Sequence, residues 1–180
     1  MKYPALALPV ALPRLKSVRL SGQRNVLFHL LANMHAPQAR RFALTNCLDD
    51  DEPGPLVTRL LAPAPHVRIP FLSSPRVMLL RCWDEAPFLL SIRGGADGSA
   101  RFSLDFVVNN ELWSGNSYLE HNLVATMDTF SVASSHTLEI EGYLEEVAVE
   151  TWQRVFKTFS GLRTLRLKGM GTLDTLWLGL

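Results

Sequence analysis

The segment from Val147 to Gly169 most strongly constrains the fold, because a helix pattern, a helix exit and a strand pattern follow one another within 23 residues. Its first part carries an apolar stripe at helical spacing, formed by Trp152, Val155, Phe156 and Phe159. Gly161 follows this stripe and is typical of a helix C-terminus. The last part reads L-x-x-L-x-L, with leucines at positions 162, 165 and 167. The segment therefore predicts an amphipathic helix followed directly by a short strand.

The same strand frame recurs along the chain at nearly constant intervals. The second apolar residues of the early frames lie 24, 25 and 23 positions apart, at Leu20, Leu44, Ile69 and Ile92. A strand of this type every ~20–29 residues is typical of leucine-rich repeats. Later strands are predicted at residues 137–141, which read TLEIE, and at residues 173–180, which read LDTLWLGL.

Helical stripes separate several of these frames. One helix is predicted from Ser21 or Gly22 through Asn33, and a shorter one at residues 56–61. Ser117 and Glu120 form the S-x-x-E capping box of a third helix, which continues to residue 130. In the middle of the chain, the runs FLLSIRG and RFSLDFVV flank a glycine-rich turn at residues 94–98. These two runs predict a β-hairpin.

Charged residues between apolar neighbours distinguish two α/β architectures. A doubly wound sheet is covered on both faces, so its strands are apolar at nearly every position. The frames here instead carry charges at Arg19, Arg68, Glu139 and Arg166. We therefore predict one α/β domain over residues 1–180, an irregular leucine-rich-repeat-like solenoid. Its short strands form one curved sheet with helices on the other side, and the central β-hairpin is an insertion.

Three segments carry a resemblance to a known family: LPRLKSVRLSG, LLAPAPHVR and TWQRVFKTFSGLRTLRLKG. They resemble the leucine-rich-repeat region of the large F-box protein family of mushroom-forming fungi. The resemblance implies a substrate-recognition role in a cullin-based ubiquitin ligase, whose adaptor binds the F-box. The first frame begins by Leu15 and leaves no room for an F-box before it. The chain is thus expected to be an isolated repeat region or a fragment, with adaptor binding only if an F-box precedes it.

Composition excludes several classes of function. The chain has 18 basic and 17 acidic side chains, which argues against general binding to nucleic acid or to a membrane surface. No apolar run approaches the ~18 residues of a membrane span, and no Asn-x-Ser/Thr acceptor occurs. Cys47 and Cys82 lie too far apart for a paired-cysteine zinc motif and predict reduced thiols. The expected location is the cytoplasm or the nucleus.

Catalytic and metal-binding motifs are not recognisable in the sequence. The five histidines lack the i, i+4 spacing of zinc ligands, and Ser134 and Ser135 lack the G-x-S-x-G elbow. The expected protein is therefore not an enzyme and uses no metal or cofactor. Two alternatives stay open: an enzyme whose site gathers His66, Cys82 and Asp84 from distant parts of the chain, and a truncated fragment without independent function.

The outward side of the predicted strands supplies the candidate binding residues: Arg19, Arg68, Arg93, Glu139, Arg166 and Lys168. Five of the six are basic, so the expected partner is a protein with an acidic segment. Trp113 and Trp177 fall on no strong helical stripe and are predicted to be exposed aromatic anchors. The sequence thus favours a non-catalytic protein-interaction domain.

Overall fold

The computed structural model describes residues 10–48, 75–83, 88–95, 102–108, 118–131 and 135–180. The strands in these ranges are β1 (Val10–Ala11), β2 (Ser17–Gly22), β3 (Met34–His35), β4 (Arg41–Leu48), β5 (Val77–Trp83), β6 (Phe88–Gly95), β7 (Phe102–Val108), β8 (Thr137–Tyr143) and β9 (Thr164–Met170). The helices are α1 (Arg24–Ala32), α2 (Tyr118–Phe130), α3 (Val149–Thr158) and α4 (Asp174–Gly179). A 3-10 turn at Leu144–Glu146 follows β8.

Seven strands form one mixed sheet in the order β2-β4-β7-β6-β5-β8-β9, and β1 pairs with β3 in a separate small parallel sheet. This order shows that the predicted leucine-rich-repeat-like solenoid is wrong. In a solenoid each unit contacts only its neighbours in sequence. Here β4 pairs with β7, and two strands separate β4 from β5.

The central hairpin explains the difference. β6 pairs antiparallel with β7, as the two runs around the glycine-rich turn predicted, and it also pairs antiparallel with β5. The hairpin is therefore not an insertion beside the sheet, because its two strands occupy the third and fourth places of the sheet. β6 runs against the other six strands, which are parallel to one another.

Most local predictions within the described ranges are confirmed. Strands lie at the frames of Leu20, Leu44, Ile92, Ile140 and Leu167, and α1, α2 and α3 occupy the predicted helical stripes. The frame at Ile69, the short helix at residues 56–61, Ser117 and Trp113 lie outside the described residues.

The last predicted strand is wrong, because residues 174–179 form α4. Leu173 and Leu176 are three positions apart, which suits one face of a helix as well as an L-x-x-L frame. Leu176 is buried, and the backbone at Gly179 comes so close to α3 that an added Cβ would lie 2.9 Å from the Cβ of Trp152. Trp177 projects away and is 67% exposed, as predicted.

The core lies between one face of the sheet and the helices. Two apolar rows cross the sheet, because the strands pair with their buried residues in register: one row runs from Val18 to Leu165 and the next from Leu20 to Leu167. α2 packs on this face, and Phe130 stacks on Phe102 of β7 with 5.3 Å between ring centroids. Trp152 of α3 is also fully buried in this core.

No helix in the described part of the chain is both long and apolar enough to cross a membrane. The longest of those helices, α2, has 13 residues, whereas a membrane span needs about 20.

Candidate functional site

Two rows of side chains cross all seven strands on the side opposite the core. The first row consists, from β2 to β9, of Arg19, Ala43, Ser103, Arg93, Leu79, Glu139 and Arg166. The second row consists of Ser21, Thr45, Asp105, Ser91, Arg81, Glu141 and Lys168. Side chains alternate between the two faces of a sheet, so both rows project away from the buried rows. Together with Ser17 and Arg41, which are paired at the start of β2 and β4, they form the polar face.

The structure brings five of the six candidate binding residues onto the polar face. Arg19, Arg93, Glu139 and Arg166 share the first row and Lys168 lies in the second, whereas Arg68 is outside the described residues. These placements hold although the solenoid is wrong, because the alternation of side chains within a strand does not depend on which strand lies beside it.

Four charged residues of the polar face were missed by the sequence reasoning: Arg41, Arg81, Asp105 and Glu141. The signal was available for the two arginines, since Arg41 precedes buried Phe42, and Arg81 lies between the buried Leu80 and Cys82. The same alternation places Asp105 between buried Leu104 and Phe106. What the sequence did not show is that these charges face each other across strands.

Glu141 occupies the centre of an ion-pair cluster at the β5-β8-β9 end of the polar face. Its side chain is only 5% exposed, and it accepts a hydrogen bond from Nε of Arg81. On the other side, Nζ of Lys168 lies 3.5 Å from its Oε1. The hydrogen bond from Arg81 is the main reason that the pKa of the Glu141 carboxyl is lowered. The positive charges of Arg81 and Lys168 lower this pKa further, whereas burial raises it. Glu141 is therefore held in its charged form between two cations.

The other acidic residues of the polar face are also paired. Arg166 Nη1 lies 3.6 Å from Glu139 Oε2 on the neighbouring strand. Arg93 Nη2 lies 3.6 Å from Asp105 Oδ1, which also accepts a hydrogen bond of 2.6 Å from the Ser91 hydroxyl. Each carboxylate of the two rows thus has a cation beside it, and these carboxylates lie on β7 and β8.

The β2-β4 end of the polar face differs, because its arginines have no such compensation. Arg19 and Arg41 are exposed, and neither forms an ion pair with an acidic side chain of the described residues. With Arg93 they line a shallow depression of about 350 Å³. The short side chains of Ala43 and Ser103 lie between Arg19 and Arg93 in the first row, which leaves space among the three guanidinium groups.

The polar face as a whole carries an excess of positive charge. Its cationic side chains are Arg19, Arg41, Arg81, Arg93, Arg166 and Lys168, and its carboxylates are Asp105, Glu139 and Glu141. Six cations against three anions leave three positive charges. Two of them, Arg19 and Arg41, lie at the β2-β4 end, and the third lies at Glu141, where Arg81 and Lys168 share one carboxylate. Such an arrangement attracts anionic groups to the depression.

Of the three residues suggested for an enzymatic site, only Cys82 lies in the described part of the chain. His66 and Asp84 lie outside it, and Cys82 is buried in the core. Among the described residues, no three histidine, cysteine, aspartate or glutamate side chains are grouped as metal ligands would be.

Comparison with known proteins identifies no relative. No protein-family model, no curated protein and no solved structure matches this chain. The function is therefore inferred from the polar face itself.

Proposed function

We propose that this chain is a non-catalytic protein-interaction domain whose polar face binds an acidic segment of a partner protein. The observation that carries the proposal is the pair of uncompensated arginines, Arg19 and Arg41, beside the depression between them and Arg93. The planar guanidinium group donates two parallel hydrogen bonds to a carboxylate, so arginine clusters are well suited to acidic side chains.

The dimensions of the polar face support a polypeptide partner. Seven strands at a spacing of ~4.8 Å span about 29 Å. An extended segment of eight or nine residues covers this width at ~3.4 Å per residue. The depression is shallow and polar, unlike the largely apolar clefts that bury most of a small ligand.

The cellular role proposed for this binding is substrate recognition in a ubiquitin ligase. This part of the proposal is supported by the resemblance of residues 12–22 and 151–169 to F-box proteins, and not by the strand order. Adaptor binding is proposed only for a form of the protein that also carries an F-box. The proposed location is the cytoplasm or the nucleus, where such ligases act.

The test is a binding titration with a fluorescent 12-residue peptide of alternating glutamate and serine. Fluorescence anisotropy is followed with the unmodified chain and with the double variant Arg19→Glu, Arg41→Glu. Charge reversal replaces attraction by repulsion at the depression, so affinity should fall at least ~10-fold. It should also fall for the unmodified chain as salt is raised, because exposed charges are screened.

A matched control reverses two exposed cations on α3, Arg154→Glu and Lys157→Glu. α3 packs on the core side of the sheet, and this variant has the same net charge as the first. If the control lost affinity as much as the Arg19, Arg41 variant, binding would depend on overall charge and the proposed site would be wrong.

A further inference from the structure

An apolar groove of about 740 Å³ lies beside β2 at the edge of the sheet. Its apolar walls come from the chain before β2, from β2 itself and from α1, and they include Val10, Leu12, Leu15, Leu20, Val26 and Leu30. Four of these residues are exposed, with Leu30 at 49% and Val10 at 53%. Grouped exposed apolar side chains are costly in water and commonly mark interaction sites.

The walls of the groove are held in place by backbone hydrogen bonds. β1 pairs in parallel with β3, which follows α1. The amide of Val10 donates to the carbonyl of Asn33 (2.6 Å), and the amide of Leu12 donates to that of His35 (2.8 Å). The segment before β2 is thereby attached to the C-terminal end of α1. The groove is a preformed feature, so an occupant does not have to order both walls on binding.

The groove and the arginine-lined depression adjoin each other at β2. Ser17, Val18 and Arg19 line both of them. Arginine has an apolar stem and a charged end, so Arg19 is able to contact an apolar group in the groove and a carboxylate in the depression at the same time. The two recesses therefore form one composite surface, apolar on the α1 side and cationic on the sheet side.

We propose that the occupant is a polypeptide segment in which one or two large apolar residues stand next to acidic residues. The apolar side chains enter the groove, and the neighbouring carboxylates bind Arg19 and Arg41. This inference rests on the proposed function, since it names the kind of acidic segment that the polar face selects. Burial of the apolar side chains supplies affinity, and the arginines supply orientation and selectivity.

Charge complementarity favours this occupant over α4 of a second copy of the chain. The exposed apolar residues of α4 are Trp177 and Leu178, and Asp174 is the single acidic residue of this helix. One carboxylate provides little for the three arginines of the depression. A segment with several acidic residues satisfies both recesses.

The experiment compares the binding of three fluorescent peptides of equal length by anisotropy. The acidic peptide has no large apolar residue, and the mixed peptide has two leucines beside the same acidic residues. The third peptide keeps the leucines and has serine in place of the acidic residues. The mixed peptide should bind at least ~10-fold more tightly than the acidic one, because a buried leucine contributes that much or more. The peptide without acids should bind more weakly than the mixed peptide, because it lacks the carboxylates that bind Arg19 and Arg41.

Single variants test whether the leucines of the mixed peptide bind in the groove. Leu30→Ser and, separately, Val26→Ser change exposed residues one helical turn apart, so the core is left intact. Each should reduce the advantage of the mixed peptide and leave binding of the acidic peptide unchanged. Leu178→Ser, which alters an exposed leucine on α4, is the control and should leave all affinities unchanged.

The outcomes separate the two proposals. If neither acid-containing peptide binds, the proposed function fails. If the acidic and mixed peptides bind equally and the α1 variants have no effect, the groove inference is overturned while the proposed function stands. Sedimentation at increasing protein concentration tests whether a second copy of the chain occupies the groove. Self-association that Leu30→Ser abolishes would assign the groove to that second copy and overturn the inference.

Discussion

Glu141 is nearly excluded from solvent on a face whose other charged side chains are more accessible, since its side chain is 5% exposed against 34% for Arg81 and 70% for Lys168. A carboxylate in this position would favour its neutral form if it were alone, because burial disfavours charge. The two cations reverse that preference and lower its pKa. The ion-pair cluster is thus a structural part of the sheet, and the uncompensated arginines at the other end are the ones free to bind.

The lowered pKa of Glu141 predicts a dependence of stability on pH. Since the folded state binds the proton less readily than the unfolded state, acidification favours unfolding. The contribution is complete above the usual carboxyl pKa of 4.5 and is lost as the pH falls through the lower folded value. Glu141→Gln should therefore cost ~1–2 kcal/mol of unfolding free energy at about pH 7, and less as the medium becomes more acidic.

Urea denaturation of both proteins across this range measures the effect. Glu139→Gln is the control, because its partner Arg166 is 68% exposed and such pairs contribute below ~0.5 kcal/mol. A constant difference between the unmodified chain and Glu141→Gln at every pH would contradict the assignment.

Gly169 and Gly142 form a second position at which one added carbon atom would disturb the packing. They are paired in register between β9 and β8, and a Cβ on Gly169 would overlap the carbonyl oxygen of Gly142 and lie 2.9 Å from its carbonyl carbon. We predict that Gly169→Ala costs ~1–3 kcal/mol, as overpacking does. At Gly161 an added Cβ meets its nearest atom at 3.7 Å, so Gly161→Ala should be neutral or slightly stabilising. Thermal unfolding compares the two variants, and an equal effect would show that β8 and β9 are not in such close contact.

At the scale of elements, α2 and α3 are joined by a cap that crosses from one helix to the other. Ala148 precedes α3 and offers no capping side chain. Oε1 of Glu120 instead accepts hydrogen bonds from the Ala148 amide (3.1 Å) and the Thr151 hydroxyl (2.6 Å). The negative charge also suits the N-terminal end of the α3 dipole. Glu120, which the sequence placed in the capping box of α2, thus accepts hydrogen bonds at the start of α3.

Removal of this cap should destabilise the protein measurably. Glu120→Ala is expected to lose ~1–2 kcal/mol, the range observed for N-cap deletions, and Glu120→Gln about half as much because its amide oxygen still accepts. Chemical denaturation followed by circular dichroism provides the measurement. Glu150→Ala, an exposed acidic residue in the first turn of α3, is the comparison and should lose no more than ~0.5 kcal/mol.

The elements also show how far a sequence reveals this fold. Alternation and helical stripes are local, so they identified β2, β4, β6, β7, β8 and β9 and the helices α1 to α3. Leu173 and Leu176 satisfied both patterns, and only the packing of α4 on α3 decided between them. The order of the strands depends on long-range pairing, which no local pattern records.

The binding surface, like the fold, was predictable from the sequence only in its local features. Alternation placed Arg19, Arg93, Arg166 and Lys168 on one face, where the structure has them. It did not show which of them are neutralised, because Arg81 and Glu141 are 60 residues apart and meet only through the pairing of β5 with β8. It also did not show the groove, which forms where β1 attaches to the end of α1.

At the scale of the whole molecule, β6 is the central strand that holds two parallel groups together, β2-β4-β7 on one side and β5-β8-β9 on the other. Both of its edges are paired, and Leu90, Ser91 and Ile92 are all buried. Among the described strands, the outermost ones of the sheet, β2 and β9, have a partner on one side only.

This arrangement predicts a gradient of hydrogen exchange across the sheet. Amides of β6 should exchange most slowly, because their exposure requires the opening of the whole sheet, and those of β2 and β9 should exchange fastest among the seven strands. Heteronuclear NMR of the protonated chain placed in deuterated buffer measures these rates. Faster exchange in β6 than in β9 would contradict the strand order described above.

The two outer strands share one further property, which bears on solubility. An edge strand presents unpaired amides and carbonyls to any other chain, and exposed edges are a common origin of aggregation. Here β2 carries Arg19, and β9 carries Arg166 and Lys168. Edge-to-edge contact between two copies would therefore bring like charges together, which opposes the pairing. Arg19, which is proposed to bind an acidic partner, would therefore also oppose the association of two β2 edges in the absence of that partner.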